Sequence, residues 1–186
     1  MVISTLKDEY LLIAKELFEK NFISIGLGSI SMKLKAEKMI INKKNKHVKE
    51  EDFIKTLHIL KADMAWEEAS EDVTIHSKIY EQIPSAKAVI HIFAKNAITY
   101  SLKGYSFLKP LDFMGKETLG KVKIIEIHSK QEWEENKEFI ISKELKHQNI
   151  IIVKGHSVFI KGRDLKDLLK KAILLENSAY MLLHTR

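Results

Sequence analysis

His156 stands in Gly155-His156-Ser157, directly after the apolar run Ile150-Ile151-Ile152-Val153-Lys154, and His91 closes a second run, Ala88-Val89-Ile90. Both fall where a buried strand meets a loop. That is where α/β folds hold metals and reacting groups, on a rigid support open to solvent. If the two strand ends converge, their imidazoles make half of a metal site. If they stay apart, these are two ordinary histidines. The chain has no cysteine, which removes disulfides, thiolate ligands and cysteine nucleophiles together. Any metal must be held by His, Asp or Glu, a donor set that suits Zn, Mn, Fe or Co.

The elements that must position these residues are read from periodicity. Leu6, Tyr10, Leu11, Ala14, Leu17 and Phe18 recur at helical spacing and give a first amphipathic helix. After Gly26-Leu27-Gly28, the stretch Ser29 to Leu34 alternates as a half-buried strand with Ile30, Met32 and Leu34 inward, and Lys38 to Ile41 returns as a hairpin. Glu50 to Ile59 reads as a weak helix or loop, and Asp63 to Trp66 as a short strand. Asp72 or Thr74 caps a helix carrying Ile75, Ile79, Tyr80 and Ile83 that stops near Pro84. His76 packs or hydrogen-bonds inside that helix. Ala86 to Ile92, Val122 to Ile127 and Asn149 to Lys154 read as strands, the last central because it is nearly all β-branched. Helices follow over 96–102 and 131–147, and Asp164 caps a final one. Hairpins mixed with helices predict a mainly antiparallel or mixed sheet with helices on its faces.

At 186 residues, with 45% apolar and 30% charged residues, the chain can bury a sizeable core as one domain, 1–186. Seven Gly and two Pro leave no room for a flexible linker. The charged N-terminal stretch is no signal peptide and no run reaches membrane-spanning length, so the expected address is the cytoplasm, without membrane contact. The net charge of +6 comes from scattered Lys, with only two Arg. That balance predicts a weakly basic surface and no nucleic-acid partner. The local cluster Lys43, Lys44, Lys46, His47 and Lys49 either meets an anionic substrate or forms a solvated loop.

The order and spacing of several short pieces resemble the class II aldolase and adducin N-terminal domain family, over nearly the whole chain. Gly28-Ser29-Ile30-Ser31 is similar to its G-N-[IL]-S turn. Ala69-Ser70-Glu71-Asp72 with His76 and Ile79-Tyr80 is similar to its S-S-E-x-x-x-H-x-x-I-Y stretch. Ala88-Val89-Ile90-His91, Gly155-His156-Ser157-Val158 and Leu175-Glu176-Asn177-Ser178-Ala179 match further segments. The resemblance implies a three-layer α/β/α fold around a mainly antiparallel sheet and a homo-oligomer, often a tetramer. It also implies a divalent metal, most often zinc, on three histidines. That metal polarises a hydroxy-carbonyl sugar or sugar-phosphate substrate.

By the same resemblance His91 and His156 are metal ligands, and Asp72, with Glu71 beside it, is the acid/base. Gly28, Ser29, Lys43 and Lys44 lie where substrate is bound. The chain also departs from the pattern. The H-x-H pair, whose members share one strand face, here reads His91-Ile92-Phe93, so one ligand position holds a phenylalanine. The phosphate-loop motif is absent, and Ile41-Asn42-Lys43-Lys44 stands there instead. Two functions follow as expectations: metal-assisted aldol cleavage or enolisation of a small hydroxy-carbonyl compound, with Asp72 or Glu71 completing the ligand set, or a non-catalytic adducin-like interaction domain or small-molecule binder.

Overall fold

The computed structural model describes residues 2–185; Met1 and Arg186, the two ends of the expected 1–186 domain, lie outside the described residues. The first helix, α1 (Val2–Glu19), leads into β1 (Ser29–Lys35), β2 (Lys38–Asn42) and β3 (Ile54–His58). Then come α2 (Met64–Glu68), α3 (Val73–Gln82), β4 (Ala88–Ile92), α4 (Lys95–Ser101), β5 (Phe107–Leu108) and α5 (Phe113–Thr118). The chain closes with β6 (Val122–Ile125), α6 (Lys130–His147), β7 (Ile150–Val153), β8 (Ser157–Gly162) and α7 (Leu165–His184).

The eight strands form one sheet in the order β3-β2-β1-β4-β8-β7-β6-β5, with β4 and β8 in the middle. All pairings are antiparallel except β6 with β7. On one face Ile30, Ile90, Ile92, Val158 and Ile160 pack against Tyr10, Ala14 and Leu17 of α1, Ala97 of α4 and Leu168, Ala172 and Leu175 of α7. On the other, Val89, Ile151, Val153 and Phe159 pack against Ile75 and Ile79 of α3 and Ile141 and Leu145 of α6. Two apolar cores on opposite faces of one sheet make a three-layer α/β/α fold. Each fully buried Ile or Leu contributes about 2 kcal/mol. Among the described residues no helix is long and apolar enough to cross a membrane.

Two elements differ from the periodicity reading. Residues 63–66 open helix α2, because the Asp63 carboxylate accepts the backbone N–H of Ala65 (2.9 Å) and caps it. Residues 54–58, read as helix or loop, are the edge strand β3 on β2. An edge strand buries little, here Leu57 alone, and so leaves a faint alternation in the sequence.

Strand β1 also departs from the half-buried expectation. Ser29 and Ser31, on the face opposite Ile30 and Met32, are wholly buried. Helices cover both faces of this sheet, so the polar side of β1 points into protein, and its hydroxyls need internal partners.

The loop before β1 is held by Gly28. Its φ of +80° lies in the left-handed region, and a Cβ there would meet the His91 carbonyl oxygen and Ile23 Cγ2, both at 2.7 Å. The loop therefore lies hard against the backbone of β4 at His91. Gly28→Ala is expected to cost on the order of 2 kcal/mol, the sum of left-handed strain and displaced packing, measured as a lower urea midpoint.

Candidate active site

His91 is fixed by the sheet. It pairs with Ser29 of β1 on one side and Phe159 of β8 on the other, and all three point to the face covered by α3 and α6. Its ring stacks on Phe159 at 4.1 Å between centroids. His156 is placed differently. Val153 pairs with Ser157, so Lys154-Gly155-His156 is a three-residue hairpin turn, with Gly155 left-handed at φ +65°. The Ser101 hydroxyl at the end of α4 accepts the Gly155 N–H (2.9 Å) and pins the turn. The two imidazole centroids are 6.1 Å apart with near-parallel planes, and the Phe93 ring lies 5.2 Å from His91 and 6.3 Å from His156.

Asp72 is at the N-cap position of α3, yet its side chain makes no cap hydrogen bond. The expected cap role gives way to tertiary bonds. Asp72 Oδ2 accepts from Ser29 Oγ (2.7 Å) and from His91 Nδ1 (2.7 Å), and the side chain is 14% exposed. Burial is the largest single influence on this carboxyl and would raise its pKa. Its interactions with His91, His76 and Ser29 outweigh it and hold the group well below the usual carboxylate range. Asp72 is therefore ionised and His91 Nδ1 is its donor. Among the described residues His91 Nε2 is the one buried side-chain nitrogen or oxygen without a hydrogen-bond partner.

His76 corrects its expected place inside the helix. It is fully buried and reaches across to the sheet, with Nε2 2.8 Å from Ser29 Oγ and Nδ1 2.6 Å from Ser31 Oγ. Ser31 Oγ is in turn 2.8 Å from the Tyr80 hydroxyl. Burial pushes the His76 imidazole from 6.5 down to about 4, with Asp72 opposing and His91 reinforcing the drop. Burial also raises the Tyr80 phenol above its ordinary value.

A cavity of about 180 Å³ opens beside this cluster. Gly28, Asn42, Lys43, Lys44, Glu71, Asp72, His91, Phe93, Trp133, Lys137 and His156 line it. Of the residues expected at a site, all but Ser29 reach this cavity. Ser29 is fully buried beneath it, its hydroxyl spent on Asp72 and His76. Lys43 lines the wall, but its ammonium is paired with Glu68 (2.7 Å) and Asp52 (3.3 Å). The backbone N–H groups of Lys43 and Lys44 already donate to Phe53 and Glu68 carbonyls, so neither is free for a phosphate. Lys46 pairs with Glu50 and Asp52, so two of the cluster's four lysines are held in ion pairs.

As a metal centre the set falls short. Among the described residues no three His, Asp or Glu side chains are grouped so as to hold an ion. Of the carboxylates expected to complete a His-His-carboxylate set, Asp72 lies on the Nδ1 side of His91. The Phe93 ring brings no donor in its place.

Trp133, Lys137 and Asn42 were missed by the sequence reading. Asn42 Oδ1 accepts the Ile30 N–H (2.9 Å) and fixes the start of β1. Trp133 packs at 4.7 Å on His156. It stands four residues from Lys137, so both present one face of α6 to the cavity. The buried cluster did carry a signal. Ser29 and Ser31 share a strand face, and His76 and Tyr80 share a helix face.

The layered fold is that of class II aldolases. L-fuculose-1-phosphate aldolase from Thermus thermophilus superposes with a TM-score of 0.85 at 21% identity, covering 97% of this chain and 94% of that one. YgbL from Klebsiella pneumoniae, a putative aldolase/epimerase/decarboxylase, does so at 0.82 and 17% identity, over 98% and 91%. A sugar-phosphate aldolase from Thermotoga maritima gives 0.78 and 16%, over 98% and 95%. No curated protein matches the sequence significantly. The chain belongs to the class II aldolase and adducin N-terminal domain family, whose sequence pattern it matches over residues 8–183.

The depressed His76 pKa makes a pH prediction. The unfolded chain protonates this histidine near 6.5 and the folded chain only near 4. Its contribution is therefore complete above pH 6.5 and is lost as pH falls from 6.5 to 4, by about 3 kcal/mol at the unit conversion of linkage. Asp72, also depressed, adds its loss below that window. Urea denaturation at pH 7.5 and 4.5 should show the drop, and His76→Gln should flatten it.

Proposed function

We propose that the chain is an enzyme that moves a proton on a small hydroxy-carbonyl compound of sugar type, by enolisation or by aldol cleavage. The observation that supports this best is His91. Its Nδ1 is bound to an ionised, buried carboxylate, and its Nε2 is unpartnered beside a cavity. An imidazole so held, its Nδ1 hydrogen engaged, presents Nε2 as a general base.

In enolisation His91 Nε2 takes the proton from the carbon next to the carbonyl, and the electron pair moves onto the carbonyl oxygen. In cleavage it takes the proton of the β-hydroxyl. The carbon–carbon bond breaks, an aldehyde forms, and the pair passes to the other half as an enolate that is then protonated. Lys44 and Lys137, both lining the cavity and neither in an ion pair among the described residues, offset the negative oxygen. Asp72 orients the base, and Glu71 is a second carboxylate at the rim. Gly28 and Lys44 remain on the substrate side. Ser29 and Lys43 support that side without offering it a free group, so a phosphate is not required of the substrate.

Zinc, or another divalent ion, would find two imidazoles and a phenyl ring. We propose that such binding is weak, and the reaction above uses the chain's own residues. A homo-oligomer and a cytoplasmic address belong to the same proposal. The non-catalytic alternative leaves the buried Asp72–His91 pair without a purpose.

The experiment is exchange of carbon-bound hydrogen in D2O, followed by NMR on a panel of hydroxy-ketones and hydroxy-aldehydes. The native chain should exchange or cleave at least one of them, and His91→Gln should lose about 10²–10⁴-fold in rate. No exchange across the panel sinks the reading. Equilibrium dialysis against zinc adds a second check. Phe93→His should raise zinc affinity about tenfold or more. No gain would mean that the His91 and His156 nitrogens do not converge on the position of residue 93.

A further inference from the structure

We propose that Tyr80, Ser31, His76 and Ser29 form a one-way hydrogen-bond relay ending on Asp72, and that His76 is thereby a positioning residue for His91. The contacts run without a gap. Tyr80 hydroxyl to Ser31 Oγ is 2.8 Å, Ser31 Oγ to His76 Nδ1 2.6 Å, His76 Nε2 to Ser29 Oγ 2.8 Å, Ser29 Oγ to Asp72 Oδ2 2.7 Å, and Asp72 Oδ2 to His91 Nδ1 2.7 Å. Tyr80, Ser31, His76 and Ser29 are each at most 2% exposed, so bulk solvent does not reach them.

Counting hydrogens fixes the direction. Ser29 gives its single hydrogen to Asp72 Oδ2. Ser29 Oγ can then only accept from His76, which places a hydrogen on His76 Nε2. A neutral imidazole carries one such hydrogen, so its Nδ1 is a lone pair and accepts from Ser31. Ser31, its own hydrogen spent, accepts from Tyr80. In this order every donor is used. With a doubly protonated His76, Ser31 could only accept from it, and one hydroxyl hydrogen of the Ser31–Tyr80 pair would be left without an acceptor, at the cost of an unmade buried bond. With the hydrogen on Nδ1 instead, Ser29 would turn to Nε2 and Asp72 would lose a donor.

The relay gives the fully buried face of β1 a task. It keeps two donors on one Asp72 oxygen, holds the carboxylate still, and so commits a hydrogen to His91 Nδ1. Tyr80, four residues beyond His76, closes the far end, where no further partner is needed. The inference rests on the proposed role of His91 for its catalytic meaning, but the proton positions are a property of the resting molecule.

The test is heteronuclear NMR of the native chain labelled with 15N-histidine at pH 7.5. The expected spectra show His76 with its hydrogen on Nε2 and His91 with its hydrogen on Nδ1, the less common form of a free imidazole. His76 protonated on Nδ1 or on both nitrogens, or His91 without a hydrogen on Nδ1, overturns the relay. A kinetic arm uses whichever substrate the exchange screen yields. Ser31→Ala should lower kcat about tenfold with KM unchanged, in the range of outer-shell substitutions, and Ser31→Thr should restore it. A loss of melting temperature with kcat per folded molecule intact would mean a merely structural role and overturn the positioning claim. The expected tautomers with no turnover would leave the relay standing and remove the proposed reaction.

Discussion

A carboxylate taken out of water must be compensated at once, and in this molecule Asp72 is that carboxylate. Its two donors come from different strands, Ser29 of β1 and His91 of β4, which face each other across a sheet register. The pairing of those strands is therefore what makes burial of the charge tolerable. Shifting β1 by one residue would put Ile30 opposite His91 and leave the carboxylate stranded. Gly28 guards that register from outside, since its bare Cα lets the preceding loop rest on the His91 backbone.

From that pair the rest of the site follows by satisfaction of buried polar groups. Ser29, once committed to Asp72, needs its second contact from His76; His76 needs Ser31; Ser31 needs Tyr80. The helix supplies its two members at a spacing of four, the strand its two at a spacing of two. The periods of two elements thus meet in one hydrogen-bonded series. On the cavity side the same logic explains the quiet of the basic loop. Lys43 and Lys46 are held by Asp52, Glu50 and Glu68, and the local backbone is bonded to itself.

Much of this was legible beforehand, and the failures have physical causes. Helices α1 and α7 and strands β4 and β7 were readable because long apolar periods or β-branched runs leave one interpretation, and α6 was read from its charged helical composition. His91 and His156 were singled out as strand-end residues, and the fold class followed from motif order. What misled was polarity. Ser29 and Ser31 look like the wet side of a half-buried strand, since sequence does not say that a second helical layer covers them. Asp72 looks like a cap because capping is the usual work of an acid before a helix. Its true partners lie 43 and 19 residues away. Trp133 and Lys137 carried no mark at all, being one charged-helix face among several. The α2 and β3 misreadings concern short elements, where cap chemistry and edge pairing outweigh periodicity.

The two histidines are mounted on supports of unequal stiffness. His91 sits in one of the two middle strands of an eight-stranded sheet, hydrogen-bonded on both sides and stacked on Phe159. His156 rides on an exposed three-residue turn, held by the Ser101 hydroxyl and leaning on Trp133. Local opening is drawn from the least buried segments. The cavity thus works like a vice with one fixed jaw and one sprung jaw. Compliance toward guests of different size belongs to the His156 side, while the geometry of proton transfer stays referenced to the sheet.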